Sequence, residues 1–262
     1  MACRAEAFEV TLAAGIDMNA SVADAFAARR FSGGFLRLKN AMVDPMRYVI
    51  PAPAADAEHA AWYSETFAPD GESIIEDAGF IVGRRDDRPF FHCHGVWETS
   101  DLGRRAGHLL PHESRLAKPA RAQAWGVSGA VFEVLDDRET NFRLFTPRPS
   151  EEERGAGCRA VIARVRPGEE IGQAIETLCR QHGMLDATVM GIGSVVGAVF
   201  TDTPQVTSYA TEALIADGRV TDGKCRLDIA IVGIDGRITE GRLASGVNPV
   251  CVTFELLIVE SE

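Results

Sequence analysis

The chain has 262 residues, 46% hydrophobic and 25% charged, with 27 basic against 38 acidic side chains and a formal net charge of −11. That composition supplies a core and excludes wholesale disorder, and no apolar run approaches the roughly 18 residues of a membrane-spanning helix, which excludes a helical membrane protein. Residues 1–150 carry 17 basic and 21 acidic side chains and residues 151–262 carry 10 and 17, so neither half offers the basic surface that phosphate-driven nucleic-acid binding needs.

The amino terminus MACRAEAFEV lacks a basic-then-apolar pattern, which predicts a chain without a cleaved leader. Residues 8–12 alternate as an opening strand, and Val22, Ala25 and Phe26 form a helix face that Ser32-Gly33-Gly34 closes. The next strand signal is Phe91-His92-Cys93-His94-Gly95, followed by Gly107-His108-Leu109 and a strand over 131–134. Residues 146–157 combine two prolines, a charge run and two glycines, and read as an exposed linker between a domain at 1–145 and another at 158–262. A long surface loop within one domain is the alternative.

Beyond it, residues 160–165 alternate as a strand and Pro167-Gly168 turns the chain. Glu169 and Glu170 suit the first turn of a helix whose face is Ile171, Ile175 and Leu178 and which Gly183 ends. Strands are predicted over 187–192, 195–201, 227–232, 237–243 and 250–259, with Asp235-Gly236 as a hairpin turn. The expected fold class is α+β, in two similar domains that each pair a mostly antiparallel sheet with one main helix. The six cysteines (Cys3, Cys93, Cys158, Cys179, Cys225 and Cys251) are scattered without a CxxC pair, as in a reduced, cytoplasmic protein.

The halves match in order. Gly15 parallels Gly168, and His94…Gly107-His108-Leu109 parallels Asp228…Gly241-Arg242-Leu243 with the same spacing of 14. Residues 131–134 line up with 253–256. This alignment predicts a tandem repeat in which the first copy carries insertions around 51–67 and 111–122.

Chemistry concentrates in the first copy. On a strand His92 and His94 project to one face while Cys93 points into apolar packing. His108 follows across an expected hairpin, and three imidazoles on one face suit Zn²⁺ or a similar divalent metal with a fourth position open. Hydrogen-bonded core histidines, or polar residues on a solvated strand, are the competing explanation. His112 and Glu113 follow in a loop where either could support the site.

In the second copy Arg226, Asp228 and Arg242 take the places of the three histidines. Guanidinium groups cannot ligate a cation, so Asp228 is expected between two arginines in place of a metal, or in an exposed ion pair. The second copy has instead Gly191-Ile-Gly193-Ser194, where small residues let the backbone approach a ligand and present N–H groups to an anion. The first copy has Leu38-Lys39-Asn40-Ala41 there.

Pro167-Gly168, the helix, Gly191-Ile-Gly193-Ser194-Val195, and then His92-Cys93-His94 and Gly107-His108-Leu109 together resemble the plant-and-prokaryote-conserved (PPC) domain family. The first motifs lie in repeat two and the last in repeat one. The resemblance implies compact α+β units that assemble as a trimer, with His92, His94 and His108 as ligands of a metal, usually zinc. For two units per chain it implies a homo-oligomer that is trimeric or pseudo-hexameric. The DNA-binding label that travels with the family lacks support here, because there is no Arg-Gly-Arg-Pro core and the chain is acidic.

Two functions follow, and a third, a DNA-associated protein, rests only on the family resemblance. One is a metal-containing regulatory or ligand-binding module, with a small anionic molecule at the open position and Gly191, Gly193 and Ser194 closing its pocket. The other is a metal-dependent enzyme, cupin-like because His92-Cys-His94-Gly-Val-Trp-Glu98 has that family's HxH-x₃-E look, with Glu98, His112 or Glu113 moving protons. The substrate is not legible.

Overall fold

The computed structural model describes residues 1–151 and 157–261. The chain opens with strand β1 (Ala2–Leu12) and helix α1 (Met18–Ala28), followed by β2 (Gly34–Val43) and three two-residue strands, β3 (Tyr48–Val49), β4 (Pro51–Ala52) and β5 (Trp62–Tyr63). Long strands follow: β6 (Ser73–Arg85), β7 (Arg88–Thr99), β8 (Gly103–Leu109) and β9 (Ala120–Ser128), then the hairpin β10 (Ala130–Asp136) and β11 (Arg143–Pro149). The second half runs β12 (Cys158–Val165), α2 (Ile171–Gln181), β13 (Ala187–Val195), β14 (Thr211–Thr221), β15 (Lys224–Gly233), β16 (Ile238–Arg242) and β17 (Val250–Glu260). The architecture is α+β, a mostly antiparallel sheet with two helices among the described residues, as expected. Neither helix is long and apolar enough to cross a membrane.

Hydrogen bonding gives both halves one strand order, β1-β9-β2-β6-β7-β8 and β12-β17-β13-β14-β15-β16, joined where β1 pairs antiparallel with β12. His94 lies opposite His108 across β7–β8, and Asp228 lies opposite Arg242 across β15–β16, so the shared spacing is one cross-strand pair formed twice.

Each helix covers its own half. Val22, Ala25 and Phe26 of α1 pack into a cluster with Leu36, Phe80 and Trp97, and Ile171, Ile175 and Cys179 of α2 pack with Val189, Ile229 and Phe254. Gly183 follows α2 at φ +64, a left-handed conformation that costs glycine little. Glu170 stands one position earlier than expected, as the N-cap, its carboxylate accepting from the Gln173 amide at 2.7 Å. A third cluster fills the seam, where Phe35 and Ile81 of the first half pack with Ile192 and Leu214 of the second.

The structure corrects several expected elements. Residues 253–256 correspond in place to β9, since β9 sits between β1 and β2 as β17 sits between β12 and β13. The hairpin β10–β11, which contains 131–134, has no counterpart, so the second insertion is that hairpin and not 111–122. Apolar alternation identifies a strand without saying which neighbours it pairs with. The first four residues assigned to the linker, 146–149, belong to β11, and 152–156 lie outside the described residues. The strand expected over 195–201 stops at Val195, and β14 was absent from the sequence reading.

Arg37 bridges the halves. It pairs with Asp77 through two guanidinium nitrogens and donates to the carbonyls of Ile215 at 2.7 Å and Ala216 at 3.1 Å. The Arg37 side chain is 12% exposed and that of Asp77 21%, so truncation leaves a largely buried carboxylate with only the exposed Lys39 ammonium at 3.3 Å and removes the donor to two carbonyls. Arg37→Ala should destabilise the chain by about 2–4 kcal/mol, read as a fall of several degrees in thermal midpoint. Arg37→Lys should recover only part of this, because an ammonium cannot make the same fork.

Candidate metal centre

Alternation along β7 puts His92 and His94 on one face, while Cys93 is fully buried in the cluster behind them. His108 joins them from β8. The three rings meet: their centroids are 4.5 Å apart for His92 and His94, 4.7 Å for His92 and His108, and 5.5 Å for His94 and His108.

A fourth donor comes from the other half. Glu212 on β14 places Oε2 2.5 Å from His94 Nε2, and one ligand atom from each of His92, His94, His108 and Glu212 lies within 4.8 Å of the others. Three imidazoles and a carboxylate form a donor set that suits zinc and similar divalent ions.

The far sides of two rings are anchored. His94 Nδ1 donates to the Ala213 carbonyl at 3.0 Å, which requires the proton on Nδ1 and turns the Nε2 lone pair inward. His92 Nδ1 lies 2.8 Å from Glu255 Oε2 on β17, and Glu255 Oε1 accepts from the Thr253 hydroxyl at 3.2 Å. His92 Nε2 and His94 Nε2 are then 2.8 Å apart. Two lone pairs at that distance repel unless a cation or a shared proton lies between them. His108 Nδ1 is buried with no hydrogen-bond partner among the described residues.

The electrostatics agree with the geometry. Burial, then the neighbouring His94, lowers the His92 pKa to about 3, and burial, then His92, holds His108 well below the ordinary value. Burial opposes charge on His94 as well, but the Glu212 carboxylate outweighs it and raises that pKa. Glu212 is lowered in turn, its own burial overcome by the histidines. Burial raises Glu255 to about 7. Neutral His92 and His108 beside an ionised Glu212 are the protonation states a metal ion requires, and an incoming cation would displace the proton that Glu212 favours on His94.

Other expected residues stand elsewhere. Glu98 is exposed and outside the group, so the fourth donor is Glu212 and not the cupin-like glutamate. The His112 side chain is 62% exposed, 3.4 Å from Asp17. In the second half Asp228 accepts from Arg226 at 2.8 Å and from Arg242 at 3.0 Å, the arrangement expected there, with all three side chains partly solvated.

Gly193 and Ser194 border the same pocket as the histidines, a cavity of about 330 Å³, and Gly191 does not. A Cβ on Gly191 would stand 2.4 Å from the Glu255 carbonyl oxygen and one on Gly193 2.4 Å from that of Thr253, so these glycines admit β17. The Ser194 hydroxyl accepts from the Val252 amide at 2.9 Å and fixes the same strand.

Sequence reasoning missed Glu212 and Glu255. Glu212 lies on the strand it did not find. Glu255 carried a signal, a carboxylate inside the apolar run 250–259, since buried glutamates are rare without a partner.

The Plants and Prokaryotes Conserved (PCC) domain model matches residues 152–262. A metal-containing protein of Archaeoglobus fulgidus is similar in structure, at 18% identity and TM-score 0.43, over 54% of this chain and 93% of that one. A PPC protein of Pyrococcus horikoshii shares 12% identity at TM-score 0.44, over 56% of this chain and 94% of its own. A Bacteroides thetaiotaomicron protein, provisionally named as DNA-binding, shares 10% at TM-score 0.39, over 56% and 98%. No curated protein matches the chain.

Gly191→Ala should cost about 1–3 kcal/mol by overpacking against β17 and lower the thermal midpoint. An unchanged midpoint would show that the strand yields at no cost.

Proposed function

We propose that the protein is a metal-binding module built from two PPC-type units, with one metal centre per chain where the units meet. The convergence of His92, His94 and His108 from one half with Glu212 from the other carries this reading. The first unit holds the histidines, and the second, to which the family model matches, contributes Glu212 and the supporting Glu255. A divalent ion, zinc by preference, would supply a Lewis-acidic coordination point. Glu255 and the Ala213 carbonyl would orient His92 and His94, and the pocket above them would admit a small anionic ligand.

A binding or regulatory role is favoured over metal-dependent hydrolysis because both carboxylates at the centre are engaged by histidines, which leaves no free carboxylate beside it among the described residues to act as a general base. DNA association is set aside. The net charge is −11 and the centre lies in a pocket. Residence in the cytoplasm and assembly into a homo-oligomer belong to the same proposal. Light scattering should return three times the 28.3 kDa chain mass, and a plain monomer would remove the oligomer.

Elemental analysis of untagged protein grown with zinc should find close to one divalent ion per chain. His108→Ala and Glu212→Ala should lose it. Glu255→Gln should weaken affinity by about 10–100-fold while leaving the ligand set intact. Metal-free wild-type protein, or retention of the ion by His108→Ala, would overturn the proposal.

A further inference from the structure

Part of the wall of the cavity over the histidines is made by segments that only the first half possesses. The loop carrying β4 and β5 brings Trp62 and Tyr63 to one side, and the hairpin β10–β11 brings Phe142 and Phe145 to the other. The segments are tied together above the cavity. Trp62 stacks on Phe142 with centroids 5.5 Å apart, and His59 sits edge-on to both, 4.7 Å from Trp62 and 5.1 Å from Phe142. The Asn141 side-chain amide donates to the Glu58 carbonyl at 2.8 Å. Tyr63 continues the wall down to the centre, edge-on to His108 at 5.3 Å.

Trp62 remains 46% exposed and Tyr63 41%. Large aromatic rings left open at the mouth of a pocket are surface that a ligand can cover. The charged groups in the wall are Glu212 and Glu255 near the histidines and Arg85 and Arg143 beside the aromatic residues. Arg143 is braced by Asp86 at 2.6 Å, and Arg85 lies over the Phe90 ring at 5.2 Å. Asp86 offsets the guanidinium it braces, and a divalent cation at the histidines would offset Glu212 and Glu255, so the inner end would carry no surplus negative charge against an anionic ligand, while the open aromatic rings favour a flat apolar body further out.

We infer that the cavity binds a small aromatic carboxylic acid, its carboxylate at the metal centre and its ring against Trp62, Tyr63 and Phe142; this rests on the proposed metal site. A cavity of about 330 Å³ is at the small end of ligand pockets, which suits a compact acid over a nucleotide or a peptide. A ligand carboxylate would enter as a fifth donor beside the three histidines and Glu212, an expansion that zinc allows. The ring accounts for aromatic residues gathered from two otherwise separate segments.

Benzoate and acetate serve as probes, titrated calorimetrically and by Trp fluorescence into zinc-loaded full-length protein whose metal content is measured on the same samples. Benzoate should bind at least tenfold more tightly than acetate. Trp62→Ala and Phe142→Ala should each lose most of that advantage while keeping wild-type zinc and unchanged acetate binding. Benzoate binding no tighter than acetate, or unaffected by both substitutions, would overturn the ligand class and leave the metal centre standing. Protein that takes up no zinc would overturn both.

Discussion

The antiparallel ladder between β1 and β12 is the constraint from which the rest follows. It joins two sheets of identical strand order edge to edge, and the joined sheets close on each other through Phe35, Ile81, Ile192 and Leu214. Closure leaves room for no side chain at Gly79, where a Cβ would stand 2.7 Å from Leu214. It also brings Glu212 and Ala213 of β14 onto the ring of His94, and Glu255 of β17 onto that of His92. Neither half contains the complete set of groups. The histidines alone would be three neutral rings on a strand pair, and the carboxylates alone two buried charges without partners.

The halves differ in complementary directions. Where the first places His94 opposite His108, the second places Asp228 opposite Arg242, and a salt-bridged cluster in partial solvent replaces the candidate ligand set. The first half has the β4–β5 loop and the hairpin β10–β11, which together build an aromatic wall over its histidines. The second half has at Gly191 and Gly193 the close approach to β17 that holds Glu255 in place. One copy supplies most of the candidate ligands and the enclosure, the other the fourth donor and its support.

The matching spacing of the two halves and the histidines were legible because their signals are local. HxH on a strand implies a shared face whatever surrounds it, and the spacing of 14 recurs because a β-hairpin fixes which residues lie opposite. The helix faces at 22, 25, 26 and at 171, 175 were readable for the same reason. The assignment of 131–134 was not, since the alternation of those residues suits any strand half-buried in a sheet. Nor was the ligand-cradling reading of Gly191, whose missing side chain makes room for a neighbouring strand.

From the amino-acid order alone came the acidic balance, the α+β class, the matching 14-residue spacing in the two halves and three imidazoles facing one way, all properties of composition and short-range periodicity. Which carboxylate completes the group and which acceptors set the ring tautomers depend on contacts between residues more than a hundred positions apart, such as His94 with Glu212 and His92 with Glu255, and which aromatic residues enclose the pocket depends on pairs as distant as Trp62 and Phe142. No spacing rule reaches that far. Side-chain periodicity gives direction within an element, and only the packing of one sheet on another decides what each side chain meets.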